Sequence, residues 1–349
     1  MTIGIDASRS IDLLQKTGVE VVSDDMLRVL SSGLEDSDLK VRYYTPAKIN
    51  FLPWDKQKIL RLPRFWTVFR LSLEMLMYKP DVFFSPVHEL PFFCPKKTYR
   101  VIHDVAFLKA PENYSTFQNW YLRFGLRRSL KVCCKIFVST HEVKQDLVEL
   151  ALAKEDKIIV TSFGYTQKGK NKVNFRKKQF FYIGRIEDKK NIKRLVQAFE
   201  LFSKDNMDYK LVLAGKPGFG FHNIEGLVKK SKANIELLEF ISNDQKYQYL
   251  SESKCLAHVA LEEGFGIPIL EAFDFSLPVL ASDIPVLREV GGMACYYVNP
   301  KSVEDIAVGM AELIEKKDLR DLLAKKGKEQ LEKYSWQRVI QKILGVISE

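Results

Sequence analysis

The chain lacks any run of about 18 uninterrupted apolar residues, the length a helix needs to cross a bilayer. Its first residues, MTIGIDAS, follow a short-strand pattern rather than a basic stretch leading into an apolar one, so neither a membrane span nor a signal peptide is expected. Cysteine is scarce and odd in number: Cys94, Cys133, Cys134, Cys255 and Cys295 show no CxxC spacing, and the adjacent pair cannot bridge without distorting the backbone. That argues against a disulfide framework and fits a reducing cytoplasm. His103, His141, His222 and His258 form no HExxH or other metal-type spacing. The stretch Gly215 to Gly220 reads GKPGFG, neither a dinucleotide fingerprint nor an ATP loop. Asp36 and Asp38 form a DxD, a spacing that can hold a divalent metal, but they lie in the polar turn SSGLEDSDLK, where acidic residues simply favour turns.

What is present suits a folded protein. Apolar residues make up 46% of 349 and charged residues 28%, and a chain of this length exceeds what one core usually serves, so two domains are expected. Lysine and arginine outnumber aspartate and glutamate by 54 to 44. The resulting +10 attracts phosphates, nucleic acid or an anionic membrane face without choosing among them.

Short apolar runs alternate with longer amphipathic stretches, the pattern of a parallel sheet covered by helices. Strands are predicted at residues 2–6, 40–44, 81–85, 99–103, 135–139 and 157–161, and again at 180–184, 210–214, 235–240, 256–261 and 279–282. Between the two sets, residues 167–178 break the rhythm with lysine, glycine and asparagine, the best linker candidate. The expected division is therefore 1–166, a linker at 167–178, 179–334, and a final helix over 335–349. Capping boxes are read at Ser139 with Glu142 and at Ser302 with Asp305. The segment 62–77 is aromatic and carries Arg64 and Arg70; it could lie on an anionic membrane, but its place before a strand favours core packing.

Four constellations can carry chemistry. In LEEGFGIPILEA a strand is expected to end near Leu261, Gly264 and Gly266 allow a tight turn, and Pro268 suits a first helical turn. The N–H groups of Gly264, Phe265 and Gly266 would face an anion at the helix start, phosphate being the natural occupant. Glu263 and Glu271 flank that loop and can accept hydrogen bonds from sugar hydroxyls. In YIGRIEDKKNI, Gly184 lets the chain turn while Arg185 and Lys190 could neutralise a diphosphate. His103 and Asp104 end a first-half strand, where ligands of open α/β sheets bind. Each feature alone is as readily structural.

Taken together, IGIDAS with TGVE, KPDVFFSP, VIHDVAF, VSTHEVKQDL, YIGRIEDKKNI, LVLAGK, EEGFGIPILEA, PVLASDIPVLREVGG and the late YSW resemble the family 4 glycosyltransferases. The resemblance implies an α/β GT-B fold, two Rossmann-like domains with an interdomain active-site cleft and a final helix packing back on the first domain. It implies a retaining, metal-independent enzyme that moves a hexose from GDP-mannose or a UDP-glucose type donor to a saccharide or lipid-linked saccharide hydroxyl. Arg185 and Lys190 would bind the donor diphosphate, Glu271 the ribose and Glu263 the sugar or reaction centre, with His103 near the transferred sugar. Many relatives have a TGIGRY-like loop, whereas here Thr17 and Gly18 precede Val19, Glu20, Val21 and Val22. Gly18 could still bring a backbone N–H to the ligand. No cofactor or metal and no nucleic-acid partner are expected; the expected location is cytoplasmic, with peripheral association at an anionic inner membrane face kept open. A GT-B nucleotide-sugar epimerase and a non-catalytic polyanion-binding protein remain the alternatives.

Overall fold

The computed structural model describes residues 1–11, 18–35, 39–62, 66–87, 89–111, 114–151, 153–169 and 176–348. Asp36 and Asp38 of the DxD, Thr17, Arg64 and residues 170–175 of the linker candidate lie outside them. The chain divides into two compact units, Met1–Thr166 with Tyr334–Glu349, and Gln167–Lys333.

In the first unit the order is β1 (Thr2–Asp6), α1 (Gly18–Glu35), β2 (Lys40–Thr45), β3 (Gln57–Ile59), α2 (Ser72–Met77), β4 (Val82–Ser85), β5 (Lys97–Ile102), α3 (Ala106–Lys109), α4 (Thr116–Val132), β6 (Lys135–Val138), α5 (His141–Ala151) and β7 (Ile158–Val160). Among the described residues these strands form one parallel sheet, β3-β2-β1-β4-β5-β6-β7. The second unit runs β8 (Gln179–Ile183), α6 (Ile192–Ser203), β9 (Lys210–Ala214), α7 (Phe221–Lys230), β10 (Ile235–Leu238), α8 (Asn243–Glu252), β11 (Cys255–His258), α9 (Ile267–Asp274), β12 (Val279–Ser282), α10 (Pro285–Gly291), β13 (Cys295–Val298), α11 (Val303–Glu315) and α12 (Lys317–Leu331). Its parallel sheet is ordered β10-β9-β8-β11-β12-β13. Both orders are Rossmann-like: the chain winds outward from one central strand, then returns to wind the other way.

The strands are short, nearly continuous apolar runs because a parallel sheet is buried on both faces. Phe180, Phe181 and Tyr182 of β8, and Leu211, Val212 and Leu213 of β9, are all buried. The sequence reading missed β3, whose three residues QKI include two polar ones, and β13, although its run CYYV is apolar. It also carried the strand ending at His258 on to Leu261. The Leu261 N–H instead donates to the Lys189 carbonyl at 2.9 Å, so the chain has left the ladder. A cap was misplaced by one residue: Thr140 Oγ1, not the Ser139 hydroxyl, accepts from the Val143 N–H, because buried Ser139 donates to the His103 carbonyl. At α11 the Ser302 hydroxyl does cap Asp305 N–H, but the Asp305 carboxylate accepts from the Asn299 N–H rather than reaching back.

The described ends of the linker candidate are anchored within the second unit. The Lys168 and Gly169 N–H groups donate to Asp274 Oδ2, and the Arg176 guanidinium donates to four carbonyls, those of Leu250, Ser253, Phe275 and Ser276. The chain re-enters the first unit through α13 (Trp336–Ser348). Trp336, Val339, Ile340, Ile343 and Ile347 share its buried stripe, which packs on α1. Gly164 makes room for Trp336, since a side-chain carbon there would sit 2.4 Å from the indole. Trp336→Ala is therefore expected to cost about 3–5 kcal/mol of first-unit stability, and denaturant unfolding followed by circular dichroism checks this.

Candidate functional site

In the second sheet β8 and β11 are neighbours, yet the chain leaves them in opposite directions, toward β9 and toward β12. The loops beyond their carboxyl ends diverge and open the crevice in which such sheets bind ligands. The backbone there is tightly laced. Gly215 has φ +155°, and any side chain on it would strike the Gly184 carbonyl oxygen, so the loops after β8 and β9 touch main chain to main chain. Ile186 N–H donates to the Lys216 carbonyl, and Gly218 N–H to the Ile186 carbonyl. Buried Asn191 adopts a left-handed conformation and donates through Nδ2 to the carbonyls of Val259 and Pro300, which fastens the loop after β8 to those after β11 and β13.

Across the crevice Lys190 Nζ meets Glu263 Oε1 at 2.5 Å, with both side chains largely buried. His258 Nε2 approaches the same oxygen at 3.1 Å, off the line of a hydrogen bond, from the last residue of β11. Burial alone would push the Glu263 carboxyl up; Lys190 and His258 together outweigh it and hold the group far below the usual carboxylate range. The site thus keeps a buried, ionised carboxylate at neutral pH. Sequence reasoning passed over His258 because it tested histidines only for metal spacing. The available signal was a lone histidine inside the apolar strand CLAH, five residues before Glu263.

The loop after β11 runs through Gly264 and the buried Phe265 to Gly266, whose φ of +97° makes it the left-handed cap that starts α9, with Pro268 in the first turn. Glu271 follows in the second turn, buried, its Oε1 2.6 Å from Lys246 Nζ of α8. Arg185 stands apart from these pairs. Its Nε lies 3.5 Å from Glu187 Oε2, and its side chain is 58% exposed. Of the residues singled out in the sequence, the structure brings Lys190 and Glu263 into contact and places Gly184, Arg185, Gly264, Phe265, Gly266 and Glu271 on the same unit. It gives Glu271 and Arg185 partners, Lys246 and Glu187, that the sequence reading did not name.

His103 and Gly18 belong to the first unit. His103 follows β5 and is buried against Phe163, their rings 5.0 Å apart. Its Nε2 lies 2.9 Å from the Pro86 carbonyl, which can only accept, so Nε2 carries the proton. Burial lowers its pKa to about 4, so it is neutral at pH 7. Gly18 is the first residue of α1 rather than part of a loop, and among the described residues none lies within 4 Å of where its side chain would begin.

Residues 165–330 match the model of the glycosyl transferases group 1 family. The chain is similar to the O-antigen chain mannosyltransferase B of Escherichia coli, 25% identical over 278 residues that cover 74% of this chain and 72% of that protein. It is also similar to the Escherichia coli serotype-specific mannosyltransferase WbdA, 30% identical over 38% of this chain but only 17% of WbdA. Among solved structures it resembles the sucrose-phosphate synthase of Thermosynechococcus elongatus, with a TM-score of 0.78, 15% identity and 99% and 98% of the two chains covered. Anabaena Alr3699/HepE, in complex with UDP-glucose, gives 0.75 at 14% identity over 100% and 99%. The fold is GT-B, two parallel-sheet α/β domains.

Within the second unit the Lys190–Glu263 pair makes a testable demand. Lys190→Met would strand a buried carboxylate and is expected to cost about 3–5 kcal/mol at pH 7, most of it recovered when Glu263→Gln is added. Because the folded Glu263 is held below its ordinary value of 4.5, the pair's stabilisation is complete above that pH and fades as pH falls below it. Urea unfolding of the double-mutant cycle at pH 7 and pH 4 checks both statements. His103 adds a second demand. Its folded pKa lies below the ordinary 6.5, so its contribution to stability is complete above pH 6.5 and lost as pH falls toward about 4. Replacing it by Gln should flatten the pH dependence of Tm over that window.

Proposed function

We propose that the chain is a glycosyltransferase of family 4 that moves a hexosyl group, with retention and without a metal, from a nucleoside-diphosphate sugar to a hydroxyl of a saccharide or lipid-linked saccharide. The observation that carries the reading is the buried, ionised Glu263, set between Lys190 and His258 at the crevice of the second unit, within the residues that match the glycosyl transferases group 1 model. An anion held this way is a fixed acceptor for sugar hydroxyls, and it stabilises positive charge growing at the anomeric carbon.

In this reading the diphosphate lies against Arg185 and Lys190. A lysine ammonium has three donors; one holds Glu263 and the others remain for phosphate oxygens. Arg185, exposed and only loosely paired with Glu187, reorients at little cost. Both cations strengthen their contacts as negative charge builds on the departing phosphate. Glu271 keeps its second oxygen for a ribose hydroxyl while Lys246 holds the first. The N–H groups at the start of α9 add partial positive charge. For His103 and Gly18 the family resemblance alone speaks, and the neutral imidazole of His103 limits it to hydrogen bonding rather than charge. Similarity to an O-antigen mannosyltransferase favours mannose from GDP-mannose, while the UDP-glucose complex of the Anabaena protein keeps a UDP donor in play.

Thermal shift against UDP, GDP, ADP and their sugars, with and without EDTA, tests the proposal. One nucleoside diphosphate should stabilise the protein, by about 2.7 kcal/mol at a hundred times its Kd, with no effect of EDTA. Arg185→Ala should weaken that binding roughly 10-fold to 100-fold, the loss of a charge-assisted contact of about 1.5–3 kcal/mol; Glu271→Ala should weaken it too. Absence of any nucleotide response would overturn the reading.

A further inference from the structure

The first unit carries a surface for which the donor site has no use. The turn Trp66–Leu71 and α2 bury Trp66, Leu71 and Met75, as core packing of this segment requires, yet their other side leaves Phe69, Leu73, Leu76 and Met77 between 49% and 61% exposed. Phe92 and Phe93 are half exposed on the next loop. On α4, Phe117, Trp120 and Phe124 recur at i, i+3 and i+7, and successive rings lie 6.2 and 5.8 Å apart. Two hollows join these segments into one surface. Leu76, Phe92 and Phe93 line the first, and Val68, Phe92 and Phe124 line the second. The connecting loop is held firmly, since the Arg128 guanidinium donates to the carbonyls of Leu90, Pro91 and Phe92 and lies over the Phe92 ring.

Charge identifies the occupant. Glu89 and Asp104, both partly buried, share the second hollow with Arg100, but across residues 66–79, 91–97 and 116–134 the one carboxylate is Glu74, which is buried and paired with Lys58 and Arg70. The exposed charges, Lys79, Lys96, Lys97, Arg127 and Lys131, are all basic. A second copy of this face would bring like charges together, and exposed leucines and methionine offer nothing to a nucleic acid. Aromatic and aliphatic side chains rimmed by lysine and arginine match the interface of an anionic bilayer, where rings sit at headgroup level and cations meet phosphate. Among the described residues no helix is long and apolar enough to cross a membrane, so attachment would be to the surface.

We propose that this face of the first unit, built from α2, the Phe92–Phe93 loop and α4, docks on an anionic lipid bilayer. Sedimentation with phosphatidylcholine vesicles, with and without phosphatidylglycerol, tests this on the whole chain. Binding should require phosphatidylglycerol and weaken with salt. It should fall about fivefold for each basic residue lost in Lys79→Ala and Arg127→Ala, and at least about tenfold in the Trp120→Ser, Phe124→Ser double variant. These are exposed positions outside the donor site, so the nucleotide-induced thermal shift should persist in every variant and separates loss of docking from loss of fold. No binding by the natural chain, or equal binding by all variants, would overturn the proposal. So would a dimer that the double variant dissociates in the absence of vesicle binding, which would assign the face to a second copy.

Discussion

The contact between Lys190 and Glu263 joins two loops that the sheet topology drives apart. β8 and β11 pair side by side, but their chains depart in opposite directions, and nothing in strand pairing fixes the distance between the two departing loops. A buried ion pair fixes it, because separating the partners would leave a desolvated charge on each side. Asn191 and the Leu261 N–H to Lys189 carbonyl bond repeat the connection in neutral groups. The electrostatics of the crevice derive from this geometry: the carboxylate stays ionised, one lysine stays beside it, and the more loosely held cation, Arg185, lies at the exposed edge.

The glycines around the crevice serve the same end by steric means. Gly215 permits the backbones after β8 and β9 to touch, and Gly266 supplies the left-handed residue from which α9 starts. A larger residue at Gly215 would have to push the loop bearing Arg185 away from its neighbour. Stability and binding geometry are therefore set by the same few backbone contacts.

Much of this was legible in the sequence. Short apolar runs gave the parallel sheets because strands buried on both faces must be apolar throughout, and the glycine-proline punctuation of LEEGFGIPILEA marked the loop and the start of α9. Strand β3 was not legible, since two of its three residues are polar, and the apolar run of β13 was passed over, although the other two edge strands, β7 and β10, were read. Nor were the partners of the site residues. Lys246 is 25 positions from Glu271 and His258 sits inside a strand, and one sequence contains no record of which distant side chains a fold brings together. Segment 62–77 illustrates the limit: its aromatic richness was visible, but the division into a buried face and an exposed one required knowing what packs against it.

The return of α13 to the first unit also imposes an order of events. Its buried stripe closes over α1, more than 300 positions earlier in the chain. A chain emerging from the ribosome exposes the apolar side of α1 throughout the synthesis of the whole second unit, which has every strand of its own sheet before α13 appears. The second unit can therefore fold while the first waits unfinished, and that waiting state, with α1 uncovered, is where a chaperone would act.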